Sequence, residues 1–187
     1  MSAPASRPSV RHVILDRDGV LNREAAHGGY VRTPAEFHWL PRALEGLALL
    51  HAAGVQLSVA TNQSGVGRGI MTLQQLARVH AHMQAEAAAN GAPLDAVLFC
   101  PHAPAEGCTC RKPAPGLIER AVTRSGIPGR ETLVIGDDER DLEAARRAQV
   151  GAVLVRTGKG RRTEAQFAPG SVAAYDDLLA LAQALLG

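Results

Sequence analysis

The chain has 187 residues, of which 46% are hydrophobic, 20% charged and only 3% aromatic, and its net charge at pH 7 is +2. That length suits one domain whose core is built mainly from Ala, Val, Leu and Ile. The weak charge argues against nucleic acid as a partner, no apolar run approaches the roughly 20 residues of a membrane-spanning helix, and the N-terminus carries no apolar signal segment. A cytoplasmic monomer without membrane or nucleic-acid partners is the expectation.

In chain order, residues 1–10 read as a loose Pro/Ser-rich tail and 11–187 as a single domain. A β-branched run at 13–16 predicts the first strand, and a non-periodic stretch at 22–40 leads to a helix near 41–53. A strand at 56–60, a helix at 73–90, a strand at 96–100 and a helix at 114–125 follow. Strand 132–135, helix 139–148, strand 152–155 and a helix at 174–186 complete the series. Thr72 suits the start of the second helix, and Gly54 and Gly91 suit the ends of the first and second. Strands apolar on both faces belong in a parallel sheet covered by helices. The alternation therefore predicts an α/β fold: a doubly wound, mainly parallel sheet with helices on both faces.

In such a sheet the carboxyl ends of the strands share one edge, and ligands bind there. Asp16, Thr61, Cys100, Asp137 and Arg156 all fall at or just beyond those ends. Asp16 and Asp18, two apart on extended backbone, point to the same side, and Gly19 lets the chain turn away. Carboxylates forced together repel unless a cation or a proton lies between them, although a solvated turn is the plainer alternative. Thr61 and Asn62 end the second strand, and with Gln63, Ser64 and Gly65 they offer hydroxyl, amide and backbone N–H groups to an anion. Arg68 adds a further cation there, and Arg111 and Lys112 supply cations before Pro113. Asp137 completes a set of oxygen donors suited to magnesium, whereas Asp138 and Asp141 suit the N-terminus of the following helix. The basic run at 156–162 reads either as a solvated loop or as an anion contact.

Cys100, His102, Cys108 and Cys110 crowd into one Pro/Gly-rich loop. Three thiols and an imidazole at that spacing suit a closed, tetrahedral, structural zinc site better than a disulfide framework. Free thiols beside a surface His are the alternative. Zinc there fixes the loop that carries Arg111 and Lys112.

DRDG, ATNQSG, CRKP and GDDERD, in that order, resemble the four motifs of the haloacid dehalogenase-type phosphohydrolases, over residues 13–155. The resemblance implies a HAD-like Rossmannoid fold without a large cap domain. It implies Asp16 as nucleophile, Asp18 as general acid and base, and Thr61 and Lys112 as supports for the phosphoryl group. It places magnesium on Asp16, Asp18 (through its carbonyl) and Asp137.

Two phosphatase subfamilies share the zinc loop. One removes the 7-phosphate of D-glycero-D-manno-heptose 1,7-bisphosphate, supplying heptose 1-phosphate for cell-envelope glycans, and the other acts on histidinol phosphate. NQSGVGRG, HGGY and VRTGKG look more like the former. By that resemblance His27, Gly28, Gly29, Tyr30, Thr61, Asn62, Gln63, Ser64, Arg111 and Lys112 contact a small phosphorylated sugar, with Arg111 on the distal phosphate. Two positions depart from the pattern: Val20 where Thr is common, and Asp138 where Lys is often found. A histidinol-phosphate phosphatase is the second reading. A polynucleotide 3′-phosphatase is opposed by the weak charge and the zinc loop. A phospho-receiver module is opposed by the third strand ending in Cys100, and a zinc-stabilised binding protein by the intact Asp16, Asp18, Lys112 and Asp137.

Overall fold

The computed structural model describes residues 10–187, so all of the expected tail except Val10 lies outside the described residues. The strands are β1 (His12–Leu15), β2 (Gln56–Asn62), β3 (Ala96–Cys100), β4 (Thr132–Gly136), β5 (Gly151–Val155) and β6 (Ala174–Tyr175). They form one sheet in the order β3-β2-β1-β4-β5-β6, and every pairing is parallel. The helices are α1 (Ala43–Ala52), α2 (Leu73–Ala89), α3 (Gly116–Ser125), α4 (Glu139–Arg147), α5 (Gly160–Glu164) and α6 (Leu178–Leu186).

Successive strand side chains point to opposite faces, so each strand feeds two cores. Val13 and Leu15 of β1 join Leu57, Val59 and Ile135 beneath Leu47, Leu50, Val79, Met83 and Leu181. Ile14 joins Ala60 and Val134 on the other face, beneath Leu117, Ile118, Ala121, Ala144 and Ala145. One face is thus covered by α1, α2 and α6, and the other by α3 and α4. Ile14 is fully buried; truncating such a side chain to Ala costs about 2–5 kcal/mol because the close-packed neighbours only partly fill the gap. Gly46 lets α1 lie directly on α6, since a Cβ there would stand 2.9 Å from the Leu178 backbone.

Thr72 caps α2 as expected: its hydroxyl accepts from Gln75 N–H at 3.1 Å, and the Gln75 side chain accepts from Thr72 N–H at 2.8 Å. Gly54 and Gly91 follow α1 and α2 with φ of +81° and +78°, a region open to glycine. Two expectations are corrected. The last helix begins at Leu178, because Asp177 caps it by accepting from Ala180 N–H at 2.8 Å, while residues 174–175 extend the sheet edge as β6. The basic run is no free loop. Its second half forms α5, and Arg156 is clamped by Glu164 at 2.7 Å and Asp176 at 3.1 Å.

The order in which strands are added reverses between β1 and β4: β2 and β3 lie to one side of β1, and β4, β5 and β6 to the other. Asp16 leaves β1 and Asp137 leaves β4, so both stand at this switch point, where open α/β sheets hold ligands.

Candidate active site

Asp16 is anchored at the end of β1 by its own N–H, which donates to the Ile135 carbonyl of β4 at 2.9 Å. Its Oδ1 accepts from Arg17 N–H at 2.7 Å and lies 3.0 Å from Lys112 Nζ. Lys112 is buried, with Nζ also 2.6 Å from Asp141 Oδ1 and 2.7 Å from the Ala60 carbonyl. Burial alone would depress its pKa, but Asp141 and Asp16 outweigh that and hold it above the ordinary lysine value. The Lys112 main chain is gripped by Asn62, which donates Nδ2–H to its carbonyl at 2.9 Å and accepts from its N–H at 3.1 Å. The Lys112–Pro113 peptide bond is cis.

Carboxylate oxygens of Asp16, Asp137 and Asp141 lie within 4.8 Å of one another. Burial, opposed by Lys112 and reinforced by Asp141 and Asp18, raises Asp16 to about 6. Burial and the nearby Asp16 raise Asp137 to about 8. Asp16 and Asp141 share Lys112, and Asp137 adds a third carboxyl group beside them. Their oxygens are the hard donors magnesium prefers, so the residues fit that ion.

Asp18 behaves oppositely. Arg17, the largest fully buried side chain among the described residues, sets Nη2 at 2.9 Å from Asp18 and donates Nη1–H to His80 Nε2 at 3.2 Å. Gln63 and Asn22 also donate to Asp18, at 2.8 and 3.0 Å. Burial works to raise its pKa, yet Arg17 and these amides overcome it and the net shift is downward. His80 is pushed down to about 3, by burial first and then by Arg17, so a neutral imidazole accepts that bond.

A cavity of about 260 Å³ opens over these groups, lined by Asp16, Asp18, Thr61, Asn62, Gln63, Ser64, Arg111 and Lys112 on one side. Arg17, Glu24, Ala25, Gly28, Gly29, Tyr30, Asp138, Arg140, Asp141 and Lys159 complete the lining. Tyr30 reaches the Ser64 hydroxyl at 3.0 Å and lies over Gly65, where a Cβ would come within 2.9 Å of the ring. His27 belongs to the same short turn, and its side chain lies outside the described residues. Arg111 Nη1 is buried and finds no hydrogen-bond partner among the described residues. A buried guanidinium N–H left over in this way is a ready contact for an anion.

The expected residues other than His27 therefore converge, with four differences. Arg68 does not line this cavity, and its Nη1 stands 3.5 Å from the Tyr30 hydroxyl. Arg156 turns from the crevice to Glu164 and Asp176. Asp137 is 1% exposed and sits behind Asp16 rather than on the cavity wall. Asp141 is more than a cap: its Oδ2 accepts from Asp138 N–H at 3.2 Å while its Oδ1 holds Lys112. Sequence reasoning missed that second contact, and it missed Arg17, Glu24 and Arg140; Lys159, which lines the cavity, belongs to the basic run for which an anion contact was one of two readings. The one available signal was the i, i+3 spacing of Asp138 and Asp141, which is equally the signature of a capping box.

Cys100, His102, Cys108 and Cys110 also converge. Cys108 Sγ is 3.6 Å from both Cys100 Sγ and Cys110 Sγ, and His102 Nδ1 is 3.5 and 3.3 Å from the Cys100 and Cys110 sulfurs. Ligands about 2.3 Å from a zinc at tetrahedral angles stand about 3.7 Å apart, so the four side chains fit zinc.

A family described as HAD-hydrolase-like matches residues 109–181. The D-glycero-beta-D-manno-heptose-1,7-bisphosphate 7-phosphatase of Pseudomonas aeruginosa is 41% identical over 174 residues, 93% of this chain and 97% of that protein. This chain belongs to the heptose-1,7-bisphosphate 7-phosphatase family. The family consists of phosphoric monoester hydrolases of the haloacid dehalogenase type. The D-glycero-alpha-D-manno-heptose-1,7-bisphosphate 7-phosphatase of Mycobacterium bovis is also 41% identical, over 75% of this chain and 74% of its own. A crystal structure of the heptose bisphosphate phosphatase from Bordetella bronchiseptica, complexed with magnesium and phosphate, matches with a TM-score of 0.88 and 39% identity, covering 95% of this chain and 98% of that one. These likenesses do not favour the histidinol-phosphate reading. Among the described residues no helix is long and apolar enough to cross a membrane.

Proposed function

We propose that the chain hydrolyses the 7-phosphate of D-glycero-β-D-manno-heptose 1,7-bisphosphate through a phosphoryl-Asp16 intermediate, with magnesium at the active site and zinc in the cysteine loop. The observation that carries this is the buried Lys112 bridging Asp16 and Asp141 at the switch point, with Asp137 close behind.

Asp16 is the nucleophile because its carboxylate is held at the cavity floor by Arg17 N–H and Lys112. One carboxylate oxygen attacks phosphorus in line while the bond to the sugar oxygen breaks, and Asp18 donates a proton to that oxygen. In the ligand-free protein Asp18 is held ionised. The arriving phosphate places negative charge beside it and favours its protonated form. Asp18 then takes a proton from water as the water opens the acyl phosphate, returning Asp16 to carboxylate. Lys112 and Thr61 steady the phosphoryl oxygens throughout.

Asp16, the Asp18 carbonyl and Asp137 are the magnesium ligands in this reading. Asp141 is set apart because both its oxygens are already engaged, by Lys112 and by Asp138 N–H. Magnesium, when bound, offsets the charge that an anionic nucleophile meets in an anionic ester. Cys100, His102, Cys108 and Cys110 hold zinc, which cross-links a loop with little regular structure directly before Arg111 and Lys112. Arg111, with its free buried N–H, faces the distal phosphate, and Tyr30, Gly28 and Gly29 border the sugar. His27 is assigned to the same substrate loop.

The β anomer is taken as the substrate on the likeness that the relative named for it aligns over 93% of this chain and the one named for the α anomer over 75%. A cytoplasmic monomer completes the reading. The test is magnesium-dependent phosphate release from the two heptose bisphosphate anomers and from histidinol phosphate. The β anomer should turn over fastest. Faster turnover of histidinol phosphate would overturn the substrate assignment.

A further inference from the structure

The segment after β5 lies outside the four motifs, and its basic residues do not explain its shape. Two threonine hydroxyls, one main-chain N–H and a glycine do. Thr157 Oγ1 donates to the Gly19 carbonyl at 2.7 Å. Lys159 N–H donates to Asp137 Oδ2 at 2.8 Å, and Thr163 Oγ1 donates to the Asp137 carbonyl at 2.8 Å. Between them, Gly158 has φ of +53°, and a Cβ there would overlap both Asp137 Oδ2 and the Gly19 backbone. Gly19, at φ +88°, closes the other side, because a Cβ on it would overlap the same oxygen. One oxygen of Asp137 therefore sits in a slot between two glycines, capped by an N–H. The segment is itself fixed at both ends, through Arg156 to Glu164 and through Lys159 Nζ to Glu24 at 2.6 Å.

We infer that residues 157–159 form a clamp that sets the geometry of the magnesium site. The two carboxylate-bearing turns, one after β1 and one after β4, are not covalent neighbours. Thr157 holds the first and Lys159 N–H the second, so a third turn fixes their separation. With Oδ2 occupied, Asp137 offers its other oxygen to the metal, and no side chain has to be reoriented when the ion arrives. Thr157 and Gly158 are positioning residues in this role. The inference rests on Asp16 and Asp137 being the magnesium site.

The test compares Thr157→Val, which keeps the shape but leaves the Gly19 carbonyl without its donor, with Thr157→Ser, which keeps the hydroxyl. Two quantities are read: the rise in melting temperature on titration with magnesium alone, and the magnesium concentration giving half-maximal turnover. Thr157→Val should shift both midpoints upward about fivefold, the weight of one lost hydrogen bond, and Thr157→Ser should stay within about twofold of wild type. Gly158→Ala should weaken magnesium further. A Thr157→Val protein that melts lower without metal but keeps the wild-type magnesium midpoints would overturn the clamp and leave the site reading standing. A wild-type protein that neither melts higher nor turns over with magnesium would overturn both.

Discussion

The ε-ammonium of Lys112 lies 3.0 Å from Oδ1 of Asp16. A buried cation beside the carboxylate proposed as nucleophile stabilises its charged form without blocking the cavity, and Asp141, 2.6 Å away, fixes where that cation stands. The two ion pairs should therefore act as a unit. Lys112→Met is expected to lower kcat about a hundredfold or more, as removal of a transition-state charge partner does. Asp141→Ala should cost more than the about 1 kcal/mol of a lost helix cap. In a double-mutant cycle read by denaturant unfolding, Lys112→Met and Asp141→Asn should couple by about 1–3 kcal/mol. Simple additivity would mean that Asp141 only caps α4.

Zinc should be stabilising and indirectly catalytic. The purified protein is expected to hold about one zinc per chain, measured by elemental analysis. Cys108→Ser, or removal of zinc with a chelator, should lower both the melting temperature and kcat, because Arg111 and Lys112 follow the last ligand directly. Full activity in a zinc-depleted sample would contradict this.

Acid stability is expected to depend on two buried histidines. His12 is fully buried at the start of β1, with Nε2 2.9 Å from Ser58 Oγ. Burial, only partly opposed by Asp95, lowers its pKa from 6.5 to about 4. A histidine with a depressed folded pKa contributes stability that is complete above 6.5 and lost as pH falls toward about 4. Its full contribution is about 3 kcal/mol, at 1.36 kcal/mol per pH unit. His80, lowered to about 3, acts in the same direction. With magnesium and zinc present, the melting temperature should fall between pH 6.5 and 5, and NMR should find the His12 imidazole neutral at pH 5.5. An imidazole protonated at pH 6 would refute the burial argument.

Strand positions were legible because buried parallel strands are short apolar runs, and four reactive residues follow from where those runs end. Edges and double duties were not legible. β6 has two residues and precedes a Leu/Ala-rich helix, so no periodicity separates it from that helix. Asp141 satisfies a helix N-terminus by local spacing, whereas its contact with Lys112 is set by the packing of α4 against the loop before α3. Arg17 looks like a solvated arginine in the sequence. Only the three-dimensional packing shows it buried between Asp18 and His80. The clamp at 157–159 works through one threonine hydroxyl, one backbone N–H and a glycine, a set that no spacing in the sequence distinguishes from an ordinary turn.

The measurement that bears most directly on the chemistry is to catch the phosphorylated side chain. Magnesium-loaded enzyme would be quenched in acid during turnover of the heptose bisphosphate, unfolded, and reduced with borohydride, which converts an acyl phosphate to an alcohol. Peptide mass mapping should then find homoserine at position 16, and Asp16→Asn should show none while melting near the wild-type temperature. Steady phosphate release with Asp16 unmodified, or modification at a different carboxylate, would contradict it.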